Sequence, residues 1–238
     1  MGASLALATI LLGGAASPLE AQARKRVLLL GDSITAGAVS GPPGIPFADV
    51  LAQRLGDGYE VVNIGCGGST SLDWTITHGS TLCGVFVLPN LFEGRAVPSL
   101  PAEYVTMMLG TNDATGFFEP MPIAPRIYGR AMAEIANNLV AYGAGTVIVM
   151  TPPPRCVSAS RDERMRLLAY RAIVLGACGV YPRTECGPDV HTLLDPETSF
   201  ENCDVHPNAE GHAAIGNALA DTILALEQAT PGRATVAR

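Results

Sequence analysis

Three short segments of the chain are apolar at almost every position rather than at alternate ones: Val27 to Leu30, Tyr104 to Leu109 and Thr146 to Met150. A fourth, Tyr59 to Ile64, is rich in β-branched residues. Each runs into turn chemistry: Gly31-Asp32, Gly65-Cys66-Gly67-Gly68, Gly110 and Pro152-Pro153-Pro154. Short apolar runs bounded by Gly and Pro predict buried strands. Between and after them, Phe47 to Leu55, Ile127 to Ala141, Asp162 to Leu175 and Ala213 to Gln228 carry apolar residues at helical spacing. Strands apolar on both faces, alternating with helices, predict an α/β fold with a mostly parallel sheet covered on both sides. No repeat or linker marks a second domain. Ser71 to Pro101 and Pro182 to Asn202 lack periodicity and read as long loops, and the last ten residues read as a frayed tail.

The N-terminus departs from this pattern. Gly2 to Ala16 contains no charged residue, and Ala21-Gln22-Ala23 has the small-x-small form of a cleavage site. The apolar stretch is short for a bilayer span of roughly 20 residues, so residues 1–23 are expected to be a signal peptide and 24–238 the folded domain. The mature chain is then secreted or periplasmic, with no stable membrane span, and is expected to be a monomer. Export puts the six cysteines, Cys66, Cys83, Cys156, Cys178, Cys186 and Cys203, in an oxidising compartment as disulfide candidates. Sequence cannot choose among the pairings of six cysteines, of which there are about 15. Nearest-neighbour pairs, Cys66–Cys83 and Cys178–Cys186, are favoured. No C-x-x-C occurs, so no metal site is expected. The formal charge of −7 and an aromatic content of 5% exclude a nucleic-acid binder, which needs a basic face or stacking platforms.

In open α/β sheets, ligands bind at the carboxyl ends of the strands. Ser33 follows the Gly31-Asp32 turn there; its plainer reading is a helix N-cap. A serine needs a base to become a nucleophile. Of the four histidines, His206 is presented by Asp204-Val205-His206-Pro207, where Pro207 favours an extended backbone. Asp204, two residues before it, faces the same side. His212 reads as a packing or capping residue, and His78 and His191 as solvated loop residues. Gly68 and Asn112 lie at further strand ends and offer donors to an oxyanion; a tight turn and an Asx-turn are their plainer readings. Glu163 reads as a solvent-exposed carboxylate.

Gly31-Asp32-Ser33-Ile34-Thr35, Gly68 with the loop before it, Gly110-Thr111-Asn112-Asp113 and Asp204-Val205-His206-Pro207 together resemble, in order, the four sequence blocks of the SGNH (GDSL-type) hydrolases. The resemblance implies a flavodoxin-like three-layer α/β/α sandwich and serine ester hydrolysis without metal or cofactor. It casts Ser33 as nucleophile and His206 as base. The Ser33 N–H, the Gly68 N–H and the Asn112 side chain become the oxyanion hole. One departure stands out: the usual acid lies three residues before the histidine, and here that residue is Cys203. Either Asp204 or a backbone carbonyl orients His206. Asp32 and Asp113 are expected to support turns. The substrate class implied is a short-chain or lipid ester, with an acetyl-sugar as the runner-up. Trp74, Tyr104, Phe117 and Phe118 are the aromatics near the motif loops. The rival of another class is a non-catalytic domain that uses the cleft only for binding.

Overall fold

The computed structural model describes residues 23–76, 100–116 and 121–229. The expected signal peptide up to Gln22, together with His78, Cys83, Phe117 and Phe118, lies outside these residues.

The five strands are β1 (Lys25–Gly31), β2 (Tyr59–Asn63), β3 (Ala102–Met108), β4 (Ala144–Val149) and β5 (Thr184–Cys186). They form one sheet in the order β2-β1-β3-β4-β5. Every pairing is parallel, and the order is that of flavodoxin-like folds. The continuous apolar runs now have a reason. Along β1, Val27 and Leu29 enter one core while Leu28 and Leu30 enter the other, because successive side chains point to opposite faces of a strand. All four are fully buried. Each contributes roughly 1.5–3 kcal/mol by leaving water.

The helices complete the three layers. They are α1 (Ser33–Ala36), α2 (Phe47–Leu55), α3 (Thr111–Thr115), α4 (Pro125–Ala141), α5 (Arg161–Ala177), α6 (Val190–Leu193) and α7 (Ala209–Ala229). On one face, Phe47 and Leu51 of α2 pack with Ile215, Leu219 and Ile223 of α7. On the other, Tyr128, Met132 and Ile135 of α4 pack with Leu167, Tyr170 and Val174 of α5. The Tyr128 and Tyr170 rings stack at 4.1 Å. Helix α5 begins with a Ser-x-x-Glu sequence, and the Ser160 hydroxyl accepts the Glu163 N–H.

Four readings change. The stretch from Pro182 is not all loop: Thr184–Cys186 adds an edge strand beside β4. It is three residues long and mostly exposed, too short for a hydrophobic pattern. His191 is not a solvated loop residue. It sits in α6, half-buried, and its N–H donates to Thr151 Oγ1 at 3.0 Å. Burial, then the Arg171 guanidinium, hold its pKa below the ordinary range. Glu163 is not an exposed carboxylate, because its side chain is 12% exposed and bonded to Arg155. Trp74 and Tyr104, expected near the motif loops, present no open face there. Trp74 is buried and donates from Nε1 to Ser69 Oγ at 2.9 Å. Tyr104 is buried toward the amino end of the sheet, where its hydroxyl meets Glu227.

Among the described residues two cysteine pairs come together. Cys178 and Cys186, with Cα atoms 5.0 Å apart, join the end of α5 to β5. Cys156 and Cys203 are 5.4 Å apart, across 47 positions of chain. Both separations suit a bridge. Among the described residues no helix is long and apolar enough to cross a membrane.

Candidate active site

Ser33 stands at the carboxyl end of β1, as the first residue of a one-turn helix. The plainer N-cap reading of Ser33 does not hold, because Asp32 is the cap and its Oδ1 accepts the Ile34 N–H at 3.0 Å. The serine hydroxyl is therefore left for another partner. The turn requires glycine before it: a Cβ on Gly31 would lie 2.6 Å from the Met108 carbonyl oxygen and closer still to Thr35 Oγ1.

The partner of Ser33 is His206. Ser33 Oγ and His206 Nε2 are 2.9 Å apart, across 173 positions of chain. On the other side of the ring, Nδ1 is 2.8 Å from Asp204 Oδ1, and the same oxygen accepts the His206 backbone N–H at 2.9 Å. Burial pushes the Asp204 carboxyl up, but the His206 N–H and imidazole outweigh it and hold it below the ordinary carboxylate range. An ionised carboxylate only accepts, so Nδ1 carries the ring proton. Nε2 is then bare and accepts from the Ser33 hydroxyl.

The backbone that leads into Asp204 is unusual. Asn202 and Cys203 both have positive φ, 51° and 61°. Beyond the histidine, the Ser40 N–H donates to the Pro207 carbonyl at 3.0 Å and fixes the exit of the loop.

The remaining strand ends converge on the same edge. Gly68 is buried with φ 81°, a left-handed conformation that favours glycine. A Cβ on its neighbour Gly67 would lie 4.0 Å from Ser33 Cβ, which places this loop against the serine. Asn112, 8% exposed, does not close an Asx-turn. Its Nδ2 donates to the Ser69 carbonyl at 2.9 Å and ties the loop after β3 to the loop after β2. Ser69 in turn donates from its hydroxyl to the Cys66 carbonyl at 2.9 Å.

Asp113 supports the neighbouring turn. Its carboxylate accepts the Ser71 N–H at 3.1 Å and the Ser71 hydroxyl. Burial pushes the Asp113 carboxyl up to about 6, against the lowering effect of these bonds. Burial likewise pushes Asp32 up to about 7, with the Ile34 N–H opposing and Asp113 adding to the rise. His212 is fully buried: Nδ1 accepts the Phe47 N–H at 3.1 Å, and Nε2 donates to the Ala38 carbonyl at 2.9 Å. It is the capping residue expected, serving α2, whose preceding Pro46 has no side chain to cap with.

All five sequence-derived candidates, Ser33, Gly68, Asn112, Asp204 and His206, thus lie just past the carboxyl ends of β1, β2 and β3 or in the loop before α7. Sequence reading missed Ser69, which bridges the strand-end loops, and Arg155, which touches the Asp204 loop. A short polar residue or an arginine in a loop carries no periodic signal. Among the described residues no group of three or more His, Cys, Asp or Glu side chains is arranged to hold a metal ion.

Residues 29–214 match the GDSL-like lipase/acylhydrolase family. The chain belongs to that family. No curated protein matches the sequence. Solved structures share the fold. An aryl esterase from M. smegmatis superposes with a TM-score of 0.65 at 22% identity, covering 85% of this chain and 99% of that one. A carbohydrate acetylesterase from Sinorhizobium meliloti gives 0.65 at 23% identity, covering 85% and 100%. A lipase/acylhydrolase from Enterococcus faecalis gives 0.62 at 18%, covering 88% and 100%. At these identities the likeness establishes the three-layer architecture shared with family members.

Proposed function

We propose that this GDSL-family chain is an exported serine esterase that cleaves carboxylic esters through an acyl-enzyme. The observation that carries the reading is the hydrogen-bonded series Ser33 Oγ, His206 Nε2, His206 Nδ1, Asp204 Oδ1. Ser33 Oγ attacks the ester carbonyl carbon while its proton passes to His206 Nε2. The oxyanion that forms accepts from the Ser33 N–H, the Gly68 N–H and the Asn112 amide. One Asn112 N–H is held by Ser69, and an amide has a second. Collapse breaks the bond to the leaving alcohol, which takes the proton from His206. Water, deprotonated by the same nitrogen, then attacks the acyl carbon and releases the acid and Ser33. Asp204 holds the ring in the required tautomer and offsets the charge of the imidazolium.

The two described aromatics expected near the motif loops support one substrate class over the other. Trp74 and Tyr104 are buried, so neither offers a stacking face to a sugar ring. Short acyl or lipid esters are therefore preferred over acetyl-sugars, although one structural neighbour is a carbohydrate acetylesterase. Residues 1–23 act as the export signal in this reading, and the two cysteine pairs are oxidised to disulfides outside the cytoplasm.

The test is turnover of p-nitrophenyl acetate and butyrate by wild type and S33A, with fluorophosphonate labelling in parallel. Labelling of wild type and loss of both label and turnover in S33A are expected. Undiminished turnover in S33A overturns the assignment. A wild type that neither turns over nor labels supports a binding domain instead.

A further inference from the structure

The loop that carries Asp204 is gripped by residues the chemistry above does not use. Asn202 and Cys203 lie consecutively in the left-handed region, at φ 51° and 61°, which Asn visits readily but Cys keeps only where its surroundings hold it. The imposing contacts come from the segment between β4 and α5. Arg155 Nη1 donates to the Asp204 carbonyl at 2.7 Å and lies 3.5 Å from the Cys203 carbonyl. Its Nε donates to Glu163 Oε1 at 2.6 Å, with the two side chains only 11% and 12% exposed. Glu163 is itself fixed in the first turn of α5. The next residue, Cys156, pairs with Cys203.

We propose that Arg155, oriented by Glu163, is a positioning residue that holds Asp204 where it can orient His206. The inference rests on the Ser33–His206–Asp204 reading and adds to it the group that sets the acid's place. A guanidinium suits the task because its planar fork serves the carboxylate through Nε and the loop carbonyl through Nη1 at once. An ammonium on a flexible stem cannot hold both directions. Arg155 bonds the backbone of Asp204 and leaves its carboxylate for the ring, so its effect on catalysis passes through Asp204.

The experiment is a double-mutant cycle read by kcat and KM on p-nitrophenyl acetate, using R155Q, D204N and the combined variant. R155Q is expected to lower kcat by about 10- to 100-fold through a displaced acid, with KM changed by less than about two-fold. R155K is expected to fall between wild type and R155Q. In the D204N background, R155Q is expected to change kcat by less than about two-fold, since residues acting through one another do not add. Wild-type turnover in R155Q, or a loss that multiplies in full onto D204N, overturns the proposal. If R155Q does not fold, R155K is judged by the same two criteria. An S33A variant that keeps its turnover overturns the serine reading, whatever Arg155 does. An inactive S33A and a slowed D204N beside an unimpaired R155Q overturn the clamp alone.

Discussion

A single oxygen of Asp204, Oδ1, accepts both the backbone N–H and the ring Nδ1–H of His206, at 2.9 and 2.8 Å. One bond fixes the turn of the loop and the other fixes the ring within it. A carboxylate two residues before the histidine can do both because an aspartate closes a turn onto the N–H two residues on, which brings that residue's ring within its reach.

Replacing Asp204 by Asn removes the charge that fixes the ring's tautomer and offsets the imidazolium, while keeping the side chain's size. D204N is expected to lower kcat by about 100-fold or more, with KM little changed. The Asp204 side chain is 45% exposed, so the melting temperature should move little. Steady-state kinetics beside a thermal melt check this. Turnover within about two-fold of wild type would return the orienting role to a backbone carbonyl.

Asn112 is assigned to the oxyanion. N112A is expected to lower kcat by about 100-fold with KM nearly constant, because the donor acts on charge that develops in the transition state. It also loses the bond to the Ser69 carbonyl. N112D keeps the shape but cannot donate, and should be as slow as N112A. A fast N112D would remove Asn112 from the oxyanion hole.

The Asp32 carboxyl, buried and raised to about 7, gives a signed stability prediction. Between an ordinary carboxylate pKa near 4 and about 7, the folded state holds the proton more tightly than the unfolded chain. The Asp32 contribution to stability is thus largest at acid pH and declines as pH rises through that window. Asn caps a helix as well as Asp does and does not titrate. Relative to wild type, D32N is expected to gain stability steadily from pH 4 to 7 in urea unfolding, a window set by the shifted and ordinary values. A difference that does not vary with pH would contradict the burial of this charge.

His212 carries the opposite sign. Burial, with the His206 charge adding and the Ala38 carbonyl opposing, holds its pKa below the ordinary histidine range. The unfolded chain then binds the proton more readily, so stability is lost as pH falls through the ordinary value near 6.5. H212Q is expected to destabilise by about 2–3 kcal/mol at pH 8, since it breaks bonds to the Phe47 N–H and the Ala38 carbonyl in a closed site. The deficit should shrink on acidification below the ordinary value near 6.5, read at pH 5.5. Urea titrations at both pH values measure it. A deficit that grows with acid would mean that His212 is charged in the native state.

The particulars that were legible in the sequence share a physical basis. Buried parallel strands need side chains apolar on both faces, so Val27 to Leu30 announced β1 without any partner in view. Such strands must end in turns, and the polar residues of those turns, Ser33, Gly68 and Asn112, stood out against their apolar flanks. Strand β5 was illegible because three residues at a sheet edge bury too little to need a pattern. The burial of Trp74 is not legible, because it depends on Ser69 and the core behind it. Glu163 was misjudged because Arg155, eight positions earlier, lies in a loop outside any helical register.

Local composition alone determined the alternation of strand and helix, the parallel sheet and the edge where polar groups gather. These follow from periodicity and from backbone limits that act within a few residues. Which carboxylate meets His206, and what holds it there, was decided only in three dimensions. Asp204 reaches the ring from a loop whose entry at Cys203 is left-handed, a conformation that cysteine rarely adopts. The contacts surrounding that backbone, from Arg155 and Cys156, arrive from almost fifty positions away. Propensities do not encode such distant contacts; the packing of α5 and the sheet creates them.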